Sequence, residues 1–187
     1  MYYLHKRLLK GRIAMNNVIR AIEERRSVRA FENEQIETDE LKHILEAGTY
    51  APSGMGRQSG KIVVVQDKET IALLSKLNAK VMGVDMDPFY GAPTVLVVLA
   101  DSTVPTYVED GALIMGNLML AAHSLGIGSC WIHRAAQVME TPEGKELKKK
   151  WGIPDEYKGV GNCILGYAIQ SKIAEPKPRK EDYIIWG

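Results

Sequence analysis

Apolar positions at Val18, Ile19 and Ile22, set among charges from Arg20 to Arg26, recur with a helical period and predict a short first helix ending near Ser27. Thr38 suits an N-cap, with Asp39 and Glu40 in the turn behind it, and Leu41, Ile44 and Leu45 then line one face of a second helix before Gly48. Ala51 to Gly56 reads as loop. The run Ile62-Val63-Val64-Val65 is continuous and β-branched, the pattern of a strand buried on both faces. A third helix runs through Ile71, Leu74 and Leu77. Pro88 to Pro93 punctuates the chain, and Thr94 to Ala100 forms a second buried strand closed by Asp101. These two strands are expected at the centre of a sheet.

The longest helical stretch is Tyr107 to Leu125, and its Gly111 to Ala122 part is apolar nearly all round. Such a helix is buried on all sides, either within the domain or with its far side covered by a second subunit. Ser129 to His133 predicts a short strand, Pro142 to Trp151 a charged helix beginning after Thr141, and Val160 to Ile169 a third buried strand. From Ala174 the tail is polar and carries Pro176 and Pro178, then ends in Tyr183-Ile184-Ile185-Trp186, which predicts an extended arm docking on another subunit. Helices outnumber strands and precede the first two of them, so the pattern is mixed α/β or α+β without a Rossmann start. Gly126-Ile127-Gly128 sits between a helix and a strand, the reverse of the order a dinucleotide fingerprint demands.

A chain of 187 residues fits one domain, here residues 16–187. The preceding 1–15 read as an N-terminal extension of open status: a native extension, a mis-assigned start or an arm on a partner. It is basic but interrupted by His5, Lys6, Arg7 and Lys10, so it holds no signal-peptide core. No run reaches the roughly 18 apolar residues of a membrane span, and a cytoplasmic protein without a membrane partner is expected. With 24 basic against 23 acidic residues the chain has no general polyanion surface, which argues against nucleic acid but permits a local arginine cluster for one small anion. Cys130 and Cys163 fit neither a C-x-x-C nor a zinc spacing and read as buried thiols. His5, His43, His123 and His133 are scattered, so no metal site is expected.

Candidate chemistry concentrates in two basic clusters. If the backbone is extended after the first helix, Arg25, Ser27 and Arg29 point the same way, and two guanidiniums with a hydroxyl suit a phosphate. The plainer reading is a solvated helix end. Lys177-Pro178-Arg179-Lys180 forms the second cluster, and only the fold can bring the two together.

Five segments in order carry a resemblance: Arg25-Arg26-Ser27-Val28-Arg29; Ala51-Pro52-Ser53-Gly54-Met55-Gly56-Arg57-Gln58; Gly91-Ala92-Pro93 before an apolar strand; Leu125-Gly126-Ile127-Gly128-Ser129-Cys130-Trp131-Ile132; and Leu165-Gly166-Tyr167-Ala168 with Lys177-Pro178-Arg179. Together, from about Asn16 to Lys180, they resemble the FMN-dependent nitroreductase family. The resemblance implies an α+β fold, with a mixed, largely antiparallel sheet of four or five strands wrapped by helices, in an intertwined homodimer with two FMN sites at the subunit interface. It implies that Arg25, Ser27 and Arg29 hold the FMN phosphate and ribityl chain with help from Arg26, that Lys177 and Arg179 complete the clamp, and that Pro52, Ser53 and Gly54 of the other subunit lie along the ring. Ile132 and His133, with the backbone of Arg134, would sit by the ring's reactive edge.

Where many members of that family carry Asn and then Gln-Pro-Trp, this chain has Gly56 and then Gln58-Ser59-Gly60, and the segment before Gly91 is short. The implied activity is a ping-pong cycle in which NADH or NADPH reduces the flavin and a small nitroaromatic, quinone or related acceptor is reduced in turn. No side-chain nucleophile is required. Arg29 is the candidate cation for the reduced ring, and His133 a candidate proton donor. A specialised flavin dehydrogenase or dehalogenase, a non-catalytic flavin-binding redox sensor or FMN store, and a flavin-free anion-binding module are the competing readings.

Overall fold

Residues 16–187 are those that the structure, a computed structural model, describes, and the extension expected at residues 1–15 lies outside them. In chain order the elements are α1 (Asn17–Glu24), α2 (Thr38–Thr49), β1 (Gly60–Val65), α3 (Lys68–Met82), β2 (Thr94–Asp101), α4 (Tyr107–Ser124), β3 (Gly128–Ile132), α5 (Ala135–Glu140), α6 (Pro142–Lys150) and β4 (Tyr157–Gly166). The strands form one sheet in the order β1-β2-β4-β3, every pair antiparallel.

Alternation along the strands divides the interior into two cores. Val95, Val97 and Leu99 of β2, with Cys130, Ile132 and Ile164, pack under α3, α5 and α6 through Leu74, Leu77, Val138, Met139 and Leu147. Leu96, Val98 and Ala100, with Cys163 and Leu165, pack under α2 and α4 through Leu41, Ile44, Met115, Leu118 and Ala122. Cys130 and Cys163 therefore belong to opposite faces, which separates two buried thiols on neighbouring strands. Burial pushes the Cys163 thiol up, nearby Cys130 adds to this, and Arg25 partly offsets it. The outcome is an inert, protonated side chain.

Beyond β3 the segment after α1 joins the sheet without becoming a full strand. Ser27 bridges Ser129 in parallel and Phe31 bridges Ala168 antiparallel. The Val28 N–H donates to the Ser129 carbonyl at 2.9 Å, and the Glu32 N–H to the Tyr167 carbonyl at 2.9 Å. The expected α+β fold is present: four antiparallel strands plus a short ribbon that supplies the parallel link of a mixed sheet.

Several boundaries and environments differ from the sequence-based expectation. β1 is an edge strand, not a central one, and is only partly covered: Val65 is buried, Ile62 and Val63 are half-buried, and Val64 is 40% exposed. A β-branched run reports strand propensity but not how many neighbours the strand has. The N-cap of α2 is Glu37 instead of Thr38, because Glu37 and Glu40 form a reciprocal capping box. α1 stops at Glu24, freeing the next residues for the ribbon. β4 begins earlier than expected and ends at Gly166. α4 is not buried all round within the single chain, since Leu113 in its Gly111–Ala122 part is 45% exposed. The six-residue α5 is too short to imprint a helical period.

Candidate functional site

At the β3 edge, the ribbon from Arg25 to Phe31 runs along the sheet, bridged at Ser27 and at Phe31. Arg25 is half-buried, and its Nη1 is enclosed without any hydrogen-bond acceptor. The neighbouring Ser129 Oγ is likewise buried and unpartnered. Arg26 behaves differently: its Nη1 donates to the carbonyls of Glu23 at 2.7 Å and Arg25 at 2.8 Å, so its guanidinium is engaged by the end of α1. Arg29 is exposed. The tail leaves the body beside this ribbon, because the Ile169 N–H donates to the Ala30 carbonyl at 3.1 Å. Lys177 and Arg179 follow on an exposed stretch and form no ion pair among the described residues. The fold thus starts the segment that leads to the second cluster beside the first, and among the described residues no hydrogen bond or ion pair joins the two.

At the C-terminal end of β3, Ile132 is buried, His133 is exposed and Arg134 adopts φ 80 as the N-cap residue of α5. That left-handed conformation turns the chain sharply and is uncommon for a residue with a side chain.

Pro52, Ser53 and Gly54 lie in the loop that feeds β1, the opposite edge of the sheet. Asp110, at the start of α4, holds this loop: its Oδ1 accepts from the Gly54 N–H at 2.9 Å and its Oδ2 from the Ser59 hydroxyl at 2.6 Å. Burial pushes the Asp110 carboxyl up, but the Ser59 and Gly54 hydrogen bonds outweigh it and hold the carboxyl below its ordinary range. The Ser53 hydroxyl accepts from the Gln58 N–H at 2.9 Å, and Met55, Gly56 and Gln58 all take positive φ. A Cβ on Gly54 would stand 2.2 Å from the Thr106 hydroxyl, so this turn accepts glycine alone.

Three strand spacings separate β1 from β3, about 14 Å. Within the chain the Pro52–Gly54 loop and the ribbon with Ile132–Arg134 therefore belong to different edges. Asp110 and Ser129 are the residues that pattern reading missed. The available signal for Asp110 was its place, behind Glu109, at the edge of the apolar stretch that starts at Gly111.

The chain is similar to known proteins over nearly its whole length. A protein-family model, described as the Nitroreductase family, matches residues 22–85 and 80–167. An FMN reductase (NAD(P)H) of Bacillus subtilis is 26% identical over 184 residues, covering 89% of this chain and 72% of that one. The crystal structure of a nitroreductase with bound FMN from Bacteroides fragilis superposes with a TM-score of 0.85 at 31% identity, covering 92% of this chain and 99% of that one. A nitroreductase with bound FMN from Desulfitobacterium hafniense gives a TM-score of 0.82 at 30% identity, with the same coverage.

Proposed function

The chain belongs to the nitroreductase family and is an FMN-dependent oxidoreductase, and on that premise we propose that it uses NADH or NADPH to reduce a small nitroaromatic, quinone or related acceptor in two alternating half-reactions. When bound, FMN supplies the hydride chemistry, and the protein supplies binding, orientation and electrostatics.

The observation that carries this reading is the placement of the Arg25–Arg29 ribbon at the β3 edge, bridged through Ser27 to Ser129, with the chain that leads to Lys177 and Arg179 leaving beside it at Ala30. Guanidiniums and a hydroxyl on one segment offer the forked and neutral donors that an anionic phosphate group of the cofactor accepts from. Ser27 and Arg29 alternate with Arg25 along the same ribbon, and the tail that starts beside Ala30 can bring Lys177 and Arg179 to the same phosphate. Arg26 contributes main-chain contacts, since α1 occupies its side chain. Ile132, His133 and the Arg134 backbone are assigned to the reactive edge of the ring. Pro52, Ser53 and Gly54 are assigned to a second copy of the chain, because their own sheet edge is the far one. The acceptor reaches the ring between the two copies, and His133, exposed at that end of β3, stands where a proton could be relayed.

Arg25→Met and Arg179→Ala test the clamp. Each removes one charged donor, worth about 1.5 to 3 kcal/mol, so FMN affinity in a fluorescence titration is expected to fall about 10- to 150-fold. Unchanged affinity in both would exclude the phosphate assignment. Comparing acceptors by kcat/KM on the FMN-loaded protein then separates a broad reductase from a specialised one.

A further inference from the structure

Asn78 lies on α3 with none of its surface exposed, among positions that otherwise carry Leu74 and Leu77 into the core beneath the sheet. Its Nδ2 donates to the main-chain carbonyl of His133 at 2.9 Å, across 55 residues of sequence. Its Oδ1 is buried without a partner. An enclosed amide oxygen with no donor carries a desolvation penalty that leucine would avoid, so the amide at this position is explained by its one bond. Only the nitrogen of the amide can donate, and the carbonyl partner therefore fixes which atom faces it.

That bond falls on the peptide just ahead of a backbone reversal. Arg134 takes φ 80, and a residue with a Cβ stays in that region only when its surroundings hold it there. A trans peptide is planar, with its C=O and N–H pointing in opposite directions. Tying the His133 carbonyl inward to Asn78 therefore turns the Arg134 N–H outward. Among the described residues that N–H has no acceptor. Asn162 approaches the Ile132 carbonyl from β4 at 3.5 Å, at the limit of a hydrogen bond, so Asn78 is the firmer grip.

We propose that Asn78 is a positioning residue that, by holding the His133 carbonyl, aims the Arg134 N–H at the reactive edge of the bound flavin and favours its electron-rich reduced form. The proposal rests on the assignment of Ile132–Arg134 to that edge made above. A donor fixed before electrons arrive needs no reorganisation as negative charge develops, which is why orientation matters more than the mere presence of an N–H.

The test uses the FMN-loaded variants Asn78→Leu and Asn78→Ser, with Leu74→Ala as a control that loosens the same helix without touching His133. Both Asn78 variants are expected to lose about tenfold in affinity for reduced relative to oxidised FMN, a midpoint potential lower by about 30 mV for a two-electron couple. Leu74→Ala is expected to lower Tm and leave the midpoint in place. An unchanged midpoint in the Asn78 variants, or an equal shift in Leu74→Ala, overturns the proposal. In the wild-type holoprotein the Arg134 amide resonance is expected to move between oxidised and reduced states. An unresponsive resonance overturns the proposal even if no variant folds. A wild-type chain that takes up no FMN overturns the functional reading itself, whereas an unchanged midpoint in loaded variants overturns this inference alone.

Discussion

Asp110 shows how one buried side chain sets the form of the Pro52–Ser59 loop. Its two oxygens serve the Gly54 N–H and the Ser59 hydroxyl, and it is 2% exposed. Asp110→Ala leaves the buried Ser59 hydroxyl and the half-buried Gly54 N–H unpartnered, and about 2 to 4 kcal/mol of stability is expected to disappear in a denaturant titration. The pH dependence has a definite sign. A carboxyl held below its ordinary range when folded contributes fully above the unfolded value and loses that contribution as pH falls through the folded one. Stability measured from pH 5 to pH 3 should therefore drop more steeply in the wild type than in Asp110→Asn. Equal slopes would mean that the carboxylate charge is not what holds the loop. The cluster Pro52-Ser53-Gly54 was legible because its residue types resemble a known pattern, but its anchor was not. Asn78 offered a fainter mark: with Leu74, Leu77 and Val81 it falls at helical spacing on an apolar stripe, where an amide is out of place.

At the scale of elements, helices and strands were legible where a period or a β-branched run extended over several residues, as in α3, β2 and α4. Their surroundings were not. β1 and β2 carry nearly the same composition, yet β1 has one neighbour and β2 has two. Neighbour number is set by topology, which no local window contains. The difference is measurable: Leu96→Ala in β2 removes a fully buried side chain and should cost about 2 to 5 kcal/mol. Val64→Thr on the exposed face of β1 should stay within about 0.5 kcal/mol. Comparable losses at both positions in chemical denaturation would contradict the edge assignment. The ribbon from Ser27 to Phe31 was legible only conditionally, since alternation of Arg25, Ser27 and Arg29 matters once the backbone is extended. Its pairing with Ser129 and Ala168 supplies that extension.

At the scale of the whole molecule, the single chain leaves large apolar side chains uncovered. Val18, Ile19 and Ile22 on α1, Val108 and Leu113 on α4, and Ile184, Ile185 and Trp186 in the tail are all exposed, Ile185 at 88% and Trp186 at 92%. Exposed apolar side chains grouped on one element, as on α1 and at the end of the tail, suit an interaction surface, and the two halves of the proposed site lie on opposite sheet edges. A second copy answers both facts at once. Leu113→Lys separates the possibilities, because Leu113 is 45% exposed in the single chain. If the chain acts alone, the change should alter stability by no more than about 0.5 kcal/mol and leave FMN binding intact. If two copies share the site, a lysine on the buried interface carries an unpaired charge out of water and should split the pair. The expected result in sedimentation is a wild type at twice the 20.8 kDa of the chain and a folded Leu113→Lys variant at 20.8 kDa. FMN affinity should fall in the same step, since Pro52–Gly54 of one copy no longer reach the Arg25 ribbon of the other. A wild type that sediments at 20.8 kDa while holding FMN would rule out the shared site and require the Pro52–Gly60 loop to have a different role.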